Sequence, residues 1–91
     1  MIITLCGSKK FANEIYALQK KLKDLGNTVY APMFNSVLSM DYLIQIHKYK
    51  ILASELIIIC NCNNYIGLHT QEEINFATEN GKQILYTNQR L

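Results

Sequence analysis

The sequence predicts an α/β domain built on a four-stranded parallel sheet, in the order 2-1-3-4, with helices on both faces. Three observations carry this prediction. Short β-branched, apolar runs alternate with stretches of helical periodicity in the order β-α-β-α-β-α-β. The run Leu56-Ile57-Ile58-Ile59-Cys60 is continuously apolar, which suits a strand covered on both sides, as in a parallel sheet. The connections are short, and right-handed crossovers then favour 2-1-3-4.

Each element has its own justification. Ile2-Ile3-Thr4-Leu5-Cys6 reads as a buried first strand, ended by Gly7. Phe11, Ile15, Leu18, Leu22 and Leu25 recur at helical spacing, and Gly26 supplies the left-handed residue that closes such a helix. Thr28-Val29-Tyr30-Ala31 forms a second strand ended by Pro32, and 33–39 forms a loop. A second helix runs from about Met40 to Ala53, with Leu43, Ile46, Tyr49 and Ala53 on one face. The third strand is 56–60, followed by the polar loop 61–67. A third helix begins near Thr70 and stops at Gly81, and Lys82-Gln83-Ile84-Leu85-Tyr86-Thr87 is the last strand.

Composition narrows the class. Ninety-one residues make one domain, 1–91, and 49% hydrophobic with 18% charged residues excludes disorder. A net charge of +2 is too small to argue for duplex nucleic acid or a membrane surface. No apolar run approaches the ~20 residues of a bilayer span, and the amino terminus lacks the basic region and cleavage site of a signal peptide. The expectation is a soluble cytoplasmic protein. Cys6, Cys60 and Cys62 leave one thiol over from any pairing, and their spacing is not that of a zinc ribbon. They read as small hydrophobes, with no metal site and no cofactor expected. With only three helices on four strands, apolar surface and sheet edges are left to be covered, so a homodimer or higher homo-oligomer is expected.

In a 2-1-3-4 sheet the winding reverses between strands 1 and 3, and ligands sit in the crevice beyond their carboxyl ends. Two loops fall there. In Gly7-Ser8-Lys9-Lys10, a glycine after a buried strand admits close backbone approach. The following helix presents unpaired N–H groups, Ser8 offers a hydroxyl, and the lysines add positive charge. A phosphate or carboxylate fits this loop, although it is neither a Walker loop nor a dinucleotide fingerprint. The bland alternative is that Ser8 merely caps the helix and both lysines are solvated.

The second loop leads into Thr70-Gln71-Glu72-Glu73, which has the spacing of a capping box. Alternatively, Glu73 faces the crevice as a carboxylate kept ionised by the helix dipole, as a carboxylate nucleophile must be. It would then attack the anomeric carbon of a sugar whose 5′ end is held by the Gly7–Lys10 loop.

Leu5-Cys6-Gly7-Ser8, His47-Lys48-Tyr49-Lys50-Ile51, Tyr65-Ile66-Gly67, Thr70-x-x-Glu73-Ile74-x-Phe76-Ala77 and Gly81-Lys82 together resemble the nucleoside 2-deoxyribosyltransferase-like family. The resemblance spans nearly the whole chain, its most specific part being T-x-x-E-I-x-[FY]-A followed by G-K. It implies a Rossmann-like (flavodoxin-like) sheet and an oligomer. It also implies a glutamate at the place of Glu73 that displaces a base from C1′ through a glycosyl-enzyme intermediate. Relatives acting on nucleoside 5′-monophosphates hold the phosphate with the loop equivalent to Gly7, Ser8, Lys9 and Lys10. On this reading Asn61, Gly67 and Thr70 contact sugar or base, and Phe34 lines the base pocket.

The chain departs from the family at the aspartates that usually bind sugar or protonate the base. Ser54 stands at one such position, and Asn61, Asn63, Asn64 and Gly67 occupy the loop. Asparagine can hydrogen-bond but cannot act as a general acid. A non-catalytic module that sequesters or senses a nucleotide-derived ligand is therefore the alternative function. His69 reads as an incidental loop histidine. His47 reads as a surface or helix-packing residue, because no metal-ligand spacing accompanies it.

Overall fold

The computed structural model describes residues 1–88. Strands β1 (Ile2–Gly7), β2 (Thr28–Tyr30), β3 (Leu56–Cys60) and β4 (Gln83–Tyr86) alternate with helices α1 (Ala12–Asp24), α2 (Met40–Ala53) and α3 (Leu68–Glu79). The sheet is entirely parallel, in the order β2-β1-β3-β4, giving the Rossmann-like α/β architecture expected from the sequence.

Strand alternation sorts the core into two layers. Ile3 and Leu5 of β1 and Leu56 and Cys60 of β3 face α1, where they bury Ile15 with Val29 and Ala31. Cys6, Ile57 and Ile59 face the other way, against Ile51 of α2 and Ile74 and Ala77 of α3. The register Cys6↔Ile59 and Gly7↔Cys60 aligns the ends of the two central strands, so the loops that leave them start side by side. Cys6 therefore looks toward α2 and α3, and Gly7 toward α1.

Gly7 is needed for packing as much as for any ligand. A Cβ there would lie 2.8 Å from Ile15 Cδ1 and 3.1 Å from the Cys60 carbonyl oxygen. Gly26 ends α1 with φ +97° and donates its N–H to the Lys23 carbonyl at 2.9 Å, a left-handed terminus that suits glycine. At its other end α1 is shorter than its apolar spacing suggests. Ser8 accepts a bond from the Lys10 N–H and starts a single 3-10 turn, Lys9–Phe11, before the α-helix begins.

The second and fourth strands are each narrower than expected. Ala31 falls outside β2, and Lys82 and Thr87 fall outside β4. Lys82 instead sends its Nζ to the carbonyls of Leu52 and Ser54, at 2.8 and 3.0 Å. It thereby satisfies groups that the end of α2 leaves unpaired. Among the described residues no helix is long and apolar enough to cross a membrane.

Candidate functional site

A cavity of about 420 Å³ opens beyond the carboxyl ends of β1 and β2, next to the β1–β3 junction where the winding of the sheet reverses. Gly7, Ser8 and Lys9 form one wall and Pro32 to Phe34 another. Helix α2 contributes His47 and Lys50, and Tyr65, Gly67, Thr70 and Glu73 close it from the α3 side. The volume lies within the ~300–1,000 Å³ range of small-molecule sites.

Of the residues expected at the site, Gly7, Ser8, Lys9, Phe34, Gly67, Thr70 and Glu73 line this cavity together. Lys10 does not. Its ammonium lies over the Tyr65 ring, 4.0 Å from the centroid, so only Lys9 of the lysine pair is at the cavity wall. Phe34 serves both roles weighed for it: it packs on the α1 core layer and lines the cavity. His69 lines the cavity as well but is largely exposed, 4.0 Å from Glu72.

Asn61 is a correction. It is fully buried and absent from the cavity wall. Its Nδ2 donates to the Asn88 carbonyl at 2.8 Å and its Oδ1 accepts from the Asn88 N–H at 2.9 Å. The amide thus mimics a backbone unit and extends the pairing between the exits of β3 and β4. Ser54 is equally structural. Its hydroxyl bonds the Lys50 carbonyl at 2.7 Å and the Thr4 hydroxyl at 2.6 Å, on the amino-terminal side of β3 and away from the cavity.

The capping box does not form. Helix α3 begins at Leu68 with Gly67 as its N-cap, so Thr70 is a buried residue inside the first turn and Glu73 falls in the second. Glycine makes an acceptable N-cap but leaves no side-chain signature in the sequence. The Glu73 carboxyl reaches across to α2, where its Oε2 lies 3.1 Å from His47 Nε2. The expected ionisation is reversed with the register. Beyond the first turn the helix dipole offers little, and burial followed by the neighbouring Glu72 charge pushes Glu73 up to about 8.

His47, expected to be a surface or helix-packing residue, is instead part of the cavity wall. It is buried, and its Nε2 faces both Glu73 and the Cys6 thiol, the latter at 3.3 Å. Burial, with a smaller push from Lys50, brings it down to about 4, and burial raises the Cys6 thiol well above its ordinary value. Burial thus favours the neutral form of all three groups, and the Cys6 thiol and the Glu73 carboxyl also hydrogen-bond each other. Cys6, His47 and Glu73 lie 41 and 26 positions apart in sequence, so no local spacing announces the cluster. Their ligand-type atoms fall within 4.8 Å of one another.

The positive charge of the site comes from Lys9 and from Lys50, whose Nζ donates to the Ala31 carbonyl at 3.1 Å. Ser8 keeps its O–H free to donate while its oxygen accepts from Lys10. The site can therefore hold an anionic group at the β1 exit and present a carboxyl group across the cavity. No protein-family model matches the sequence, and no curated protein matches it.

Proposed function

We propose that this chain acts on the N-glycosidic bond of a nucleoside or nucleoside 5′-monophosphate, as a member of the nucleoside 2-deoxyribosyltransferase-like family. The observation that carries the reading is that Glu73 and the Gly7-Ser8-Lys9 turn line one cavity. Gly7, Ser8 and Lys9 hold the 5′ end, Phe34 borders the base, and Gly67 and Thr70 border the sugar. Deprotonated Glu73 attacks C1′, the C1′–N bond breaks with its electron pair passing to the base nitrogen, and the departing base takes a proton from water. Water or a second base then displaces the glutamyl ester, so configuration is retained by double displacement. The three free thiols fit a reducing compartment, and the proposal places the chain in the cytoplasm as a homodimer or higher homo-oligomer.

The test is incubation with ribo- and deoxyribonucleosides and their 5′-monophosphates in the presence of a chelator, with assay of released base. Glu73→Ala is expected to abolish release. Release unchanged in that variant overturns the role of Glu73.

A second reading, a module that binds a nucleotide-derived ligand without turning it over, is favoured by the neutral state of Glu73, since a protonated carboxyl is no nucleophile. Calorimetry distinguishes the two. Binding with no ligand consumed, and an affinity little changed by Glu73→Gln, supports the module.

A further inference from the structure

We propose that Cys6, His47 and Glu73 form a binding site for a divalent transition-metal ion of the zinc type, with its open coordination position toward the cavity. This goes beyond the glycosidic reading and does not depend on it.

Three different ligand atoms, a sulfur from β1, a ring nitrogen from α2 and a carboxylate oxygen from α3, converge on one point between the helices and the sheet. In a nucleophilic Cys–His–acid relay the thiol and the acid engage opposite ring nitrogens. Here both face Nε2, and His47 Nδ1 has no hydrogen-bond partner among the described residues. The Cys6 thiol and the Glu73 carboxyl also hydrogen-bond each other, so the three atoms close a triangle, and one cation placed among them would serve all three.

The spacing suits that cation. Tetrahedral zinc with Zn–S of about 2.3 Å, Zn–N of about 2.05 Å and Zn–O of about 2.1 Å separates sulfur from nitrogen by about 3.6 Å and nitrogen from oxygen by about 3.4 Å. The corresponding separations are 3.3 and 3.1 Å, so these two edges need open by only a few tenths of an ångström, and all three ligand atoms lie within 4.8 Å of one another. His47 and Glu73 stand on the cavity wall and Cys6 is buried behind them. Three protein ligands with an open fourth position are the arrangement of catalytic rather than closed structural zinc sites.

Charge and ligand type agree. A thiolate and a carboxylate with neutral imidazole carry two negative charges, which a divalent ion cancels, leaving a buried set with no net charge. Thiolate with imidazole selects zinc, cobalt or similar ions over magnesium and calcium, which prefer oxygen alone. Since the ion takes Glu73 as a ligand, metal occupancy and attack by that carboxylate on a sugar exclude each other.

The test is titration of the full chain, kept reduced with a phosphine, with cobalt(II). One ion per chain and a near-ultraviolet thiolate-to-cobalt charge-transfer band are expected, with displacement by zinc. Cys6→Ser should abolish the band, while Cys62→Ser keeps it. In case Cys6→Ser does not fold, His47→Gln and Glu73→Gln provide the second measurement. Each should weaken binding by at least the ~10–100-fold that disturbing even an outer partner of a ligand costs. Absence of binding, a band that survives Cys6→Ser, or affinity indifferent to both Gln variants overturns the site. Base release assayed in chelator reports separately on the glycosidic reading. If both hold, zinc suppresses release and chelation restores it.

Discussion

The Glu73 carboxyl oxygen lies 3.1 Å from His47 Nε2, and the contact joins α3 to α2 across the wall of the cavity. Both partners are neutral at neutral pH, because burial raises one and lowers the other. The pair therefore makes stability depend on pH in a definite direction.

For Glu73 the folded-state value of about 8 lies above the ordinary 4.5, so its contribution is complete below 4.5 and is lost as pH rises toward 8. For His47 the folded value of about 4 lies below 6.5, so its contribution is complete above 6.5 and is lost as pH falls toward 4. Between 4.5 and 6.5 the two slopes oppose. Above 6.5 Glu73 acts alone, and stability of the metal-free chain should fall by on the order of 1 kcal/mol per pH unit up to about 8. Urea unfolding at pH 6 and 8 measures this. Glu73→Gln should flatten the slope, and an unchanged slope in that variant would falsify the assignment.

The same protonation governs the proposed chemistry. Base release requires the ionised carboxylate, so its rate should climb about tenfold per pH unit below about 8 and level off above it. A rate already level at pH 6 means that Glu73 is ionised there and that its surroundings differ from those described.

Replacing Gly7 by alanine places a methyl group against Ile15 Cδ1 and the Cys60 carbonyl. Overpacking of this kind costs typically ~1–3 kcal/mol. A drop in the midpoint of chemical denaturation in that range is expected, with the far-ultraviolet circular dichroism of the native state kept.

Asn61→Ala removes both bonds to the Asn88 backbone and leaves buried groups unpaired. A loss of about 2 kcal/mol is expected, read by urea unfolding. Calorimetric affinity for a nucleotide ligand should be unaffected in the folded fraction, since the side chain does not reach the cavity. An affinity loss with no stability loss contradicts this assignment.

On the α1 side of the sheet, Leu85 of β4 is half exposed, beyond the cover that α1 gives to β1 and β2. Light scattering at micromolar concentration should show a homodimer, and Leu85→Lys should shift it toward monomer. A wild-type monomer removes this expectation.

The fold was legible because its signals are local. The continuous run of 56–60 suits a strand covered on both faces, and the periodicity closed by Gly26 suits an amphipathic helix; both elements form as expected. The sheet order then follows from handedness. The cavity wall was legible where position in the topology decides it, at Gly7–Lys9 and at Glu73. It was misread where identical side-chain chemistry serves two ends. An asparagine after a strand can meet a ligand or a neighbouring backbone, and only the place of Asn88 decides between them. Thr70 and Glu73 mimic a cap because the true cap, Gly67, has no side chain. His47 was hidden because its partners come from β1 and α3, far away along the chain.

The cavity walls are drawn from four separate stretches: the β1 exit, the Pro32–Phe34 segment, the inner face of α2 and the approach to α3. Neither half of the polypeptide contains all four walls, so recognition of any small molecule that spans the pocket requires the assembled chain. Occupancy should accordingly slow amide hydrogen exchange even in strands that touch nothing bound, and a split or truncated version should lose recognition of such a molecule.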